Sequence, residues 1–210
     1  VQYSERDGER RRMIPAMFGI FGHGNVAGLG QALEECGGTE LPYYQPCNEQ
    51  SMVHATTGND GLNDLHRSRS NQYDYRGATA TICRIPVLLI PSDYYSSRYG
   101  GVVLQDIDHL SSEDMSVTDT FRIVSRFYDR INRPEQIMNA LPQAMRVMMN
   151  PSETGAVTIA LPQDIQGYAY DYPTKFFEKR VWRIERPCPH PERVQEAVSI
   201  LKKAKKPYII

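Results

Sequence analysis

The chain has almost no excess charge of either sign: 24 Lys and Arg stand against 25 Asp and Glu among 210 residues, a formal net charge of -1. That balance creates no general field for a phosphate backbone or an anionic lipid surface, so neither nucleic acid nor a membrane is an expected partner. Long hydrophobic runs are missing as well. The longest strongly apolar stretch extends from Ile85 to Pro91, far short of the roughly 20 residues that a membrane-crossing helix needs. The N-terminus is charged where a signal peptide would be apolar, which points to the cytoplasm. Cysteine is sparse. Cys36, Cys47, Cys83 and Cys188 are scattered with no Cys-x-x-Cys, a distribution that suits reduced thiols and argues against a disulfide framework or a zinc site. His23, His54, His66, His109 and His190 show no metal-ligand spacing, and no Ser or Cys occupies a nucleophile elbow. Metalloenzyme and serine-hydrolase chemistry therefore lack support.

What is present is the composition of a globular domain: 40% hydrophobic and 23% charged residues, enough to pack a core. Ala16 to Phe21 form a short apolar run that ends in Gly22-His23-Gly24-Asn25, and Val26, Leu29, Ala32 and Leu33 follow at helical spacing. The pattern predicts strand, tight turn, helix. Leu41 to Tyr44 predict a second short strand, after which Asn48 caps a helix carrying Glu49, Met52, Val53 and His54. Ile85 to Ile90 and Ala156 to Leu161 are continuous apolar runs of the kind that become parallel strands buried on both faces. Between them Ile137, Ala140, Leu141, Ala144, Met145 and Met148 share one helical face, with Pro134 near the start and Pro142 inside. Val194, Ala197, Val198 and Leu201 mark a last helix whose basic end, Lys202 to Lys206, suits its dipole. Pro207 to Ile210 reads as the start of another buried strand. The fold class is α/β, a parallel sheet flanked by helices.

Two features invite chemistry. The Gly22-His23-Gly24-Asn25 turn sits where a strand's carboxyl end meets a helix N-terminus, a usual place to hold an anion. Glycines there also serve tight packing, and no phosphate-loop motif is present. Glu49 opens a predicted helix, either as a dipole partner facing water or as a buried acid turned to a ligand.

Phe18 to Gly30, Tyr43-Tyr44-Gln45 and Asn48-Glu49-Gln50 resemble the N-terminal part of thiamine-diphosphate enzymes. Within them, the nearest likeness is to the branch that hydrolyses a cyclic dione in myo-inositol catabolism. The resemblance continues through Arg84 to Leu89, Val124-Ser125-Arg126, Arg133 to Gln136, Leu161 to Asp164 and Lys206-Pro207-Tyr208. It implies a pyrimidine-binding domain over 1–170, a linker over 171–191 and the start of a second α/β domain over 192–210. It further implies thiamine diphosphate as cofactor, a cyclic dione as substrate, and a homo-oligomer, dimer or tetramer, with the site at a subunit interface. Glu49 takes the position of the glutamate that bonds the pyrimidine nitrogen, where a buried acid next to a weakly basic nitrogen makes proton exchange local. Gly22, His23, Gly24 and Asn25 take the position of the loop that approaches cofactor or substrate.

The chain departs from that family over 57–76. Arg67 to Tyr75 stand where the family has Gly-Pro-Gly-Ala-Thr-Asn, and a back-translation read one base later restores Gly-Pro-Gly-Ala-Thr-Asn-Met-Ile, which implies compensating frame slips. The chain is also expected to begin after the family's first helix and to end inside the central domain, without the Gly-Asp-Gly that binds magnesium. Two rival readings follow: a non-catalytic remnant that binds at most a partner chain, or part of an acetolactate-synthase-like carboligase. Resequencing the DNA between the codons for Glu49 and Ile85 is expected to show codons that permit the alternative frame; codons that forbid it would remove the slip.

Overall fold

Three apolar strands buried on both faces set the architecture. A computed structural model describes the chain except residues 1, 21, 37–40, 49–50, 53–54, 57–61, 66–70, 98–107, 110–111, 186 and 209–210; for 62–65, 71–76, 108–109 and 113–114 it describes the backbone alone. In chain order the elements begin with β1 (Tyr3–Arg6), β2 (Glu9–Arg12), β3 (Met17–Gly19), α1 (Gln31–Glu35), β4 (Tyr43–Tyr44), β5 (Leu62–Leu65), α2 (Asn71–Ile82) and β6 (Val87–Asp93). They continue with β7 (Asp108–His109), β8 (Ser112–Ser116), α3 (Phe121–Val124), β9 (Phe127–Arg130), α4 (Ile137–Met149), β10 (Ala156–Pro162), β11 (Val181–Arg183) and α5 (Pro191–Lys203).

Six strands form one sheet in the order β4-β3-β5-β6-β10-β9, and every pairing in it is parallel. Because side chains alternate across a strand, Met17, Leu88, Val157 and Ile159 point to one face and meet Ala140, Ala144, Met145 and Met148 of α4. Phe18, Val87, Leu89 and Ala156 point to the other, where Met52, Ala80 of α2 and Phe121 of α3 cover them. The apolar runs at Ile85 and Ala156 are thus strands packed on both sides, β6 beginning two residues later than the pattern suggests. Before it, Arg84 adopts a left-handed φ of 55° and the chain turns, Ile85 N–H bonding the Ala80 carbonyl at 2.8 Å. α4 continues through Pro142, whose ring nitrogen leaves the Met138 carbonyl without its intrahelical donor.

The polar start of the chain folds into a hairpin. Asp7 and Gly8 both have positive φ, 55° and 81°, the conformation a two-residue Asp-Gly turn requires. Within the segment expected as a linker, β11 pairs in parallel with β1 to complete a three-stranded sheet β11-β1-β2, and Trp182 and Ile14 pack against the α4 side of the core. Of the strand expected at 207–210, Pro207 and Tyr208 are described and carry no strand pairing among the described residues; 209–210 lie outside them. No helix among the described residues is long and apolar enough to cross a membrane.

Candidate functional site

From β3 the chain runs outward to β4 and then returns past β3 to form β5, so the strand order reverses there. In parallel sheets the crevice beyond the carboxyl ends at such a reversal is the usual ligand site. The Gly22–Asn25 turn occupies that position, directly after β3. Its carbonyl at Gly22 accepts the N–H groups of Asn25 and Val26 at 3.2 and 3.1 Å, so those two donors are spent within the turn. The Gln166 side chain then fastens it to the sheet. Gln166 Nε2 donates to the carbonyls of Gly24 and Leu161 and to Asn25 Oδ1, while its Oε1 accepts from Leu29 N–H. Asn25 is buried and its Nδ2 donates to the Ile90 carbonyl at 3.2 Å.

Gly24 is required by this packing. A Cβ there would lie 1.8 Å from Ser92 Oγ and 2.3 Å from Ser92 Cβ, at the end of β6. Gly28 meets Gln166 in the same way, with a Cβ 2.4 Å from the Gln166 Cβ. The inward side of the turn is therefore protein, and His23 is the turn side chain that faces solvent.

Along the same edge, the ends of β6, β9 and β10 share a polar cluster. Asp93 is fully buried, and Arg130 Nε donates to its Oδ2 at 2.5 Å. Ser116 and Thr118 hydroxyls donate to that oxygen too, at 3.3 and 3.1 Å, and Tyr94 N–H donates to Oδ1. The rest of the guanidinium donates to the carbonyls of Tyr95 and Ser96 and to Asn132 Oδ1. Asp164 holds the same loop from the other side, accepting from Ser96 N–H at 2.9 Å and Ser96 Oγ at 2.6 Å. A cleft of 590 Å³ opens beside the pair, lined in part by Arg122, Tyr128, Asp129 and Asn132. Burial pushes the Tyr128 phenol above its ordinary value, and the Arg122 guanidinium, 4.3 Å from that ring's centre, is raised by its hydrogen bond to Asp119.

No family model matches the chain. Individual proteins do. It is 48% identical over 220 residues to the 3D-(3,5/4)-trihydroxycyclohexane-1,2-dione hydrolase of Bacillus thuringiensis (strain Al Hakam), covering all of this chain and 34% of the relative. The corresponding protein of Bacillus cereus (strain 03BB102) gives the same figures, and that of Geobacillus thermodenitrificans (strain NG80-2) is 47% identical over 219 residues with the same coverage. The chain is homologous to the trihydroxycyclohexane-dione hydrolases. It spans about a third of the length of the curated relatives it matches.

Of the residues singled out in the sequence, the structure brings Gly22, His23, Gly24 and Asn25 together at the carboxyl edge. Glu49 lies outside the described residues. Its neighbours do form the expected helix start: Asn48 Oδ1 accepts the Ser51 N–H at 2.9 Å, and Met52 is fully buried. Sequence reasoning passed over Asp93, Arg130, Asp164 and Gln166. The available signal was a charged residue closing an otherwise apolar strand, as Asp93 closes β6. Among the described residues no group of three or more His, Cys, Asp or Glu could hold a metal ion.

Gly24→Ala is expected to lose about 1–3 kcal/mol of stability through overpacking. Ser92→Gly removes both clashing atoms and leaves the nearest Ser92 atom at 3.7 Å, so it is expected to recover most of that loss, whereas Ser92→Ala keeps the Cβ contact and recovers little. Urea denaturation of the single and double variants measures this; a Gly24→Ala protein as stable as the parent would contradict the packing.

Proposed function

We propose that this chain supplies the pyrimidine-holding part of a thiamine-diphosphate enzyme that hydrolyses a carbon–carbon bond of trihydroxycyclohexane-1,2-dione in inositol breakdown. The observation that carries the reading is identity near one half, along the whole chain, to hydrolases of that name. A parallel sheet with its glycine turn at the strand-order reversal supports it.

The described residues fit this assignment in part. They provide a rigid turn with one solvent-facing imidazole, His23, and a cleft at the strand ends; the ring-nitrogen carboxylate falls to Glu49. When bound, thiamine diphosphate supplies the electron sink that stabilises negative charge on the carbon beside the bond being cut. Glu49 holds the proton at the pyrimidine nitrogen, and the Gly22–Asn25 turn, fixed by Gln166, forms one wall. Magnesium and the diphosphate are assigned to none of these 210 residues, which contain no Gly-Asp-Gly. The working protein is a homo-oligomer, dimer or tetramer, in the cytoplasm, a setting suited to four scattered cysteines with no Cys-x-x-Cys.

One observation favours a second reading, a non-catalytic remnant. The match runs over 220 positions, ten more than this chain has residues, so part of the relative has no counterpart here. The test exchanges the matched third of the Bacillus thuringiensis protein for this chain. A chimera that opens the dione with added thiamine diphosphate and magnesium, and loses about 100-fold or more in kcat with Glu49→Gln, is the expected result. An active chimera indifferent to Glu49→Gln would overturn the role of that residue, and a folded but inactive one would favour the remnant.

A further inference from the structure

A mostly apolar cavity lies away from the carboxyl edge, where the three-stranded sheet meets α4. It has a volume of 430 Å³ and is walled by Ile14 after the hairpin, Leu141, Pro142 and Met145 of α4, Phe176 and Trp182. That volume falls within the range of small-molecule sites, which combine apolar walls with a few convergent polar groups. Among the described residues the polar lining consists of Arg12, Arg180 and Gln2.

Three further facts separate this cavity from incomplete packing. The Arg180 guanidinium has no hydrogen bond or ion pair among the described residues; only its backbone is engaged, with Gln2 and Tyr3. The indole N–H of Trp182 is shielded from solvent and meets no acceptor among the described residues, an uncommon condition for a buried donor. Phe177, also a lining residue, leaves 63% of its surface exposed, although Phe176 and Tyr172 stand close enough to pair with it.

We infer that this cavity binds an amphipathic carboxylate, an apolar body seated against Met145, Leu141 and Trp182 with its anionic head toward Arg180. Guanidinium groups recognise a carboxylate through paired, charge-assisted N–H bonds. The aliphatic and aromatic walls account for the body. The site is independent of the dione-hydrolase reading, since none of its lining residues belongs to the carboxyl edge.

Trp182 is the sole tryptophan of the chain, so its fluorescence reports on this cavity alone. The full chain is titrated with decanoate, decanol and decyltrimethylammonium, each below its aggregation threshold. A saturable change with decanoate is expected, weaker by about tenfold for decanol and absent for the ammonium, because a charged hydrogen bond contributes on that order. Arg180→Ala is expected to weaken decanoate by about tenfold and leave decanol unchanged. Arg180 is exposed, so its replacement leaves the fold intact, which circular dichroism verifies. Equal affinity for decanoate and decanol, insensitivity to Arg180→Ala, or no saturable signal from the folded chain would each overturn the proposal.

Discussion

Asp93 has no exposed surface, and a carboxylate removed from water must find its charge a partner or lose it. Arg130 is that partner, and its remaining donors reach the carbonyls of Tyr95 and Ser96. One ion pair thus ties the end of β6 to the end of β9 across β10, and holds the loop that leaves β6. Asp164 binds Ser96 from beyond β10, and Gln166, two residues further on, fastens the Gly22–Asn25 turn. The carboxyl edge is consequently one connected polar framework. Such a framework is costly to leave half satisfied, which makes its arrangement specific as well as stable.

The core explains why that edge is accessible. β3, β6 and β10 bury both faces, so helices occupy the two sides of the sheet and leave its strand ends open. Small residues allow the close approaches: Ala140, Ala144 and Ala156 are fully buried, and Gly24 and Gly28 admit Ser92 and Gln166. The glycine turn is therefore first a packing device. Its reach toward a ligand is confined to its outward side, where His23 lies.

Much of this is readable from the residues themselves. The apolar runs at Ile85 and Ala156, the periodicity of α4 and the glycines after Phe18 yield the parallel sheet, because burial on both faces leaves an unmistakable pattern. The N-terminal hairpin was passed over: Asp7-Gly8 is a turn signal, but the strands beside it are mostly polar and carry no alternating apolar signal. β11 is harder to foresee: Val181-Trp182-Arg183 becomes a strand only because β1 offers an unpaired edge. The polar framework is hidden for a related reason. Asp93, Arg130 and Gln166 are far apart in sequence, and only the crossover connections bring them to one edge.

The central claim is that the Asp93–Arg130 pair organises the carboxyl edge, and a double-mutant cycle on the full chain tests it most directly. Removing one member leaves a buried charge uncompensated, so Arg130→Met is predicted to cost about 3–5 kcal/mol in urea denaturation. Asp93→Leu combined with Arg130→Met is predicted to cost clearly less than the sum of the two single changes. Additive losses, or an Arg130→Met protein of parental stability, would contradict the account.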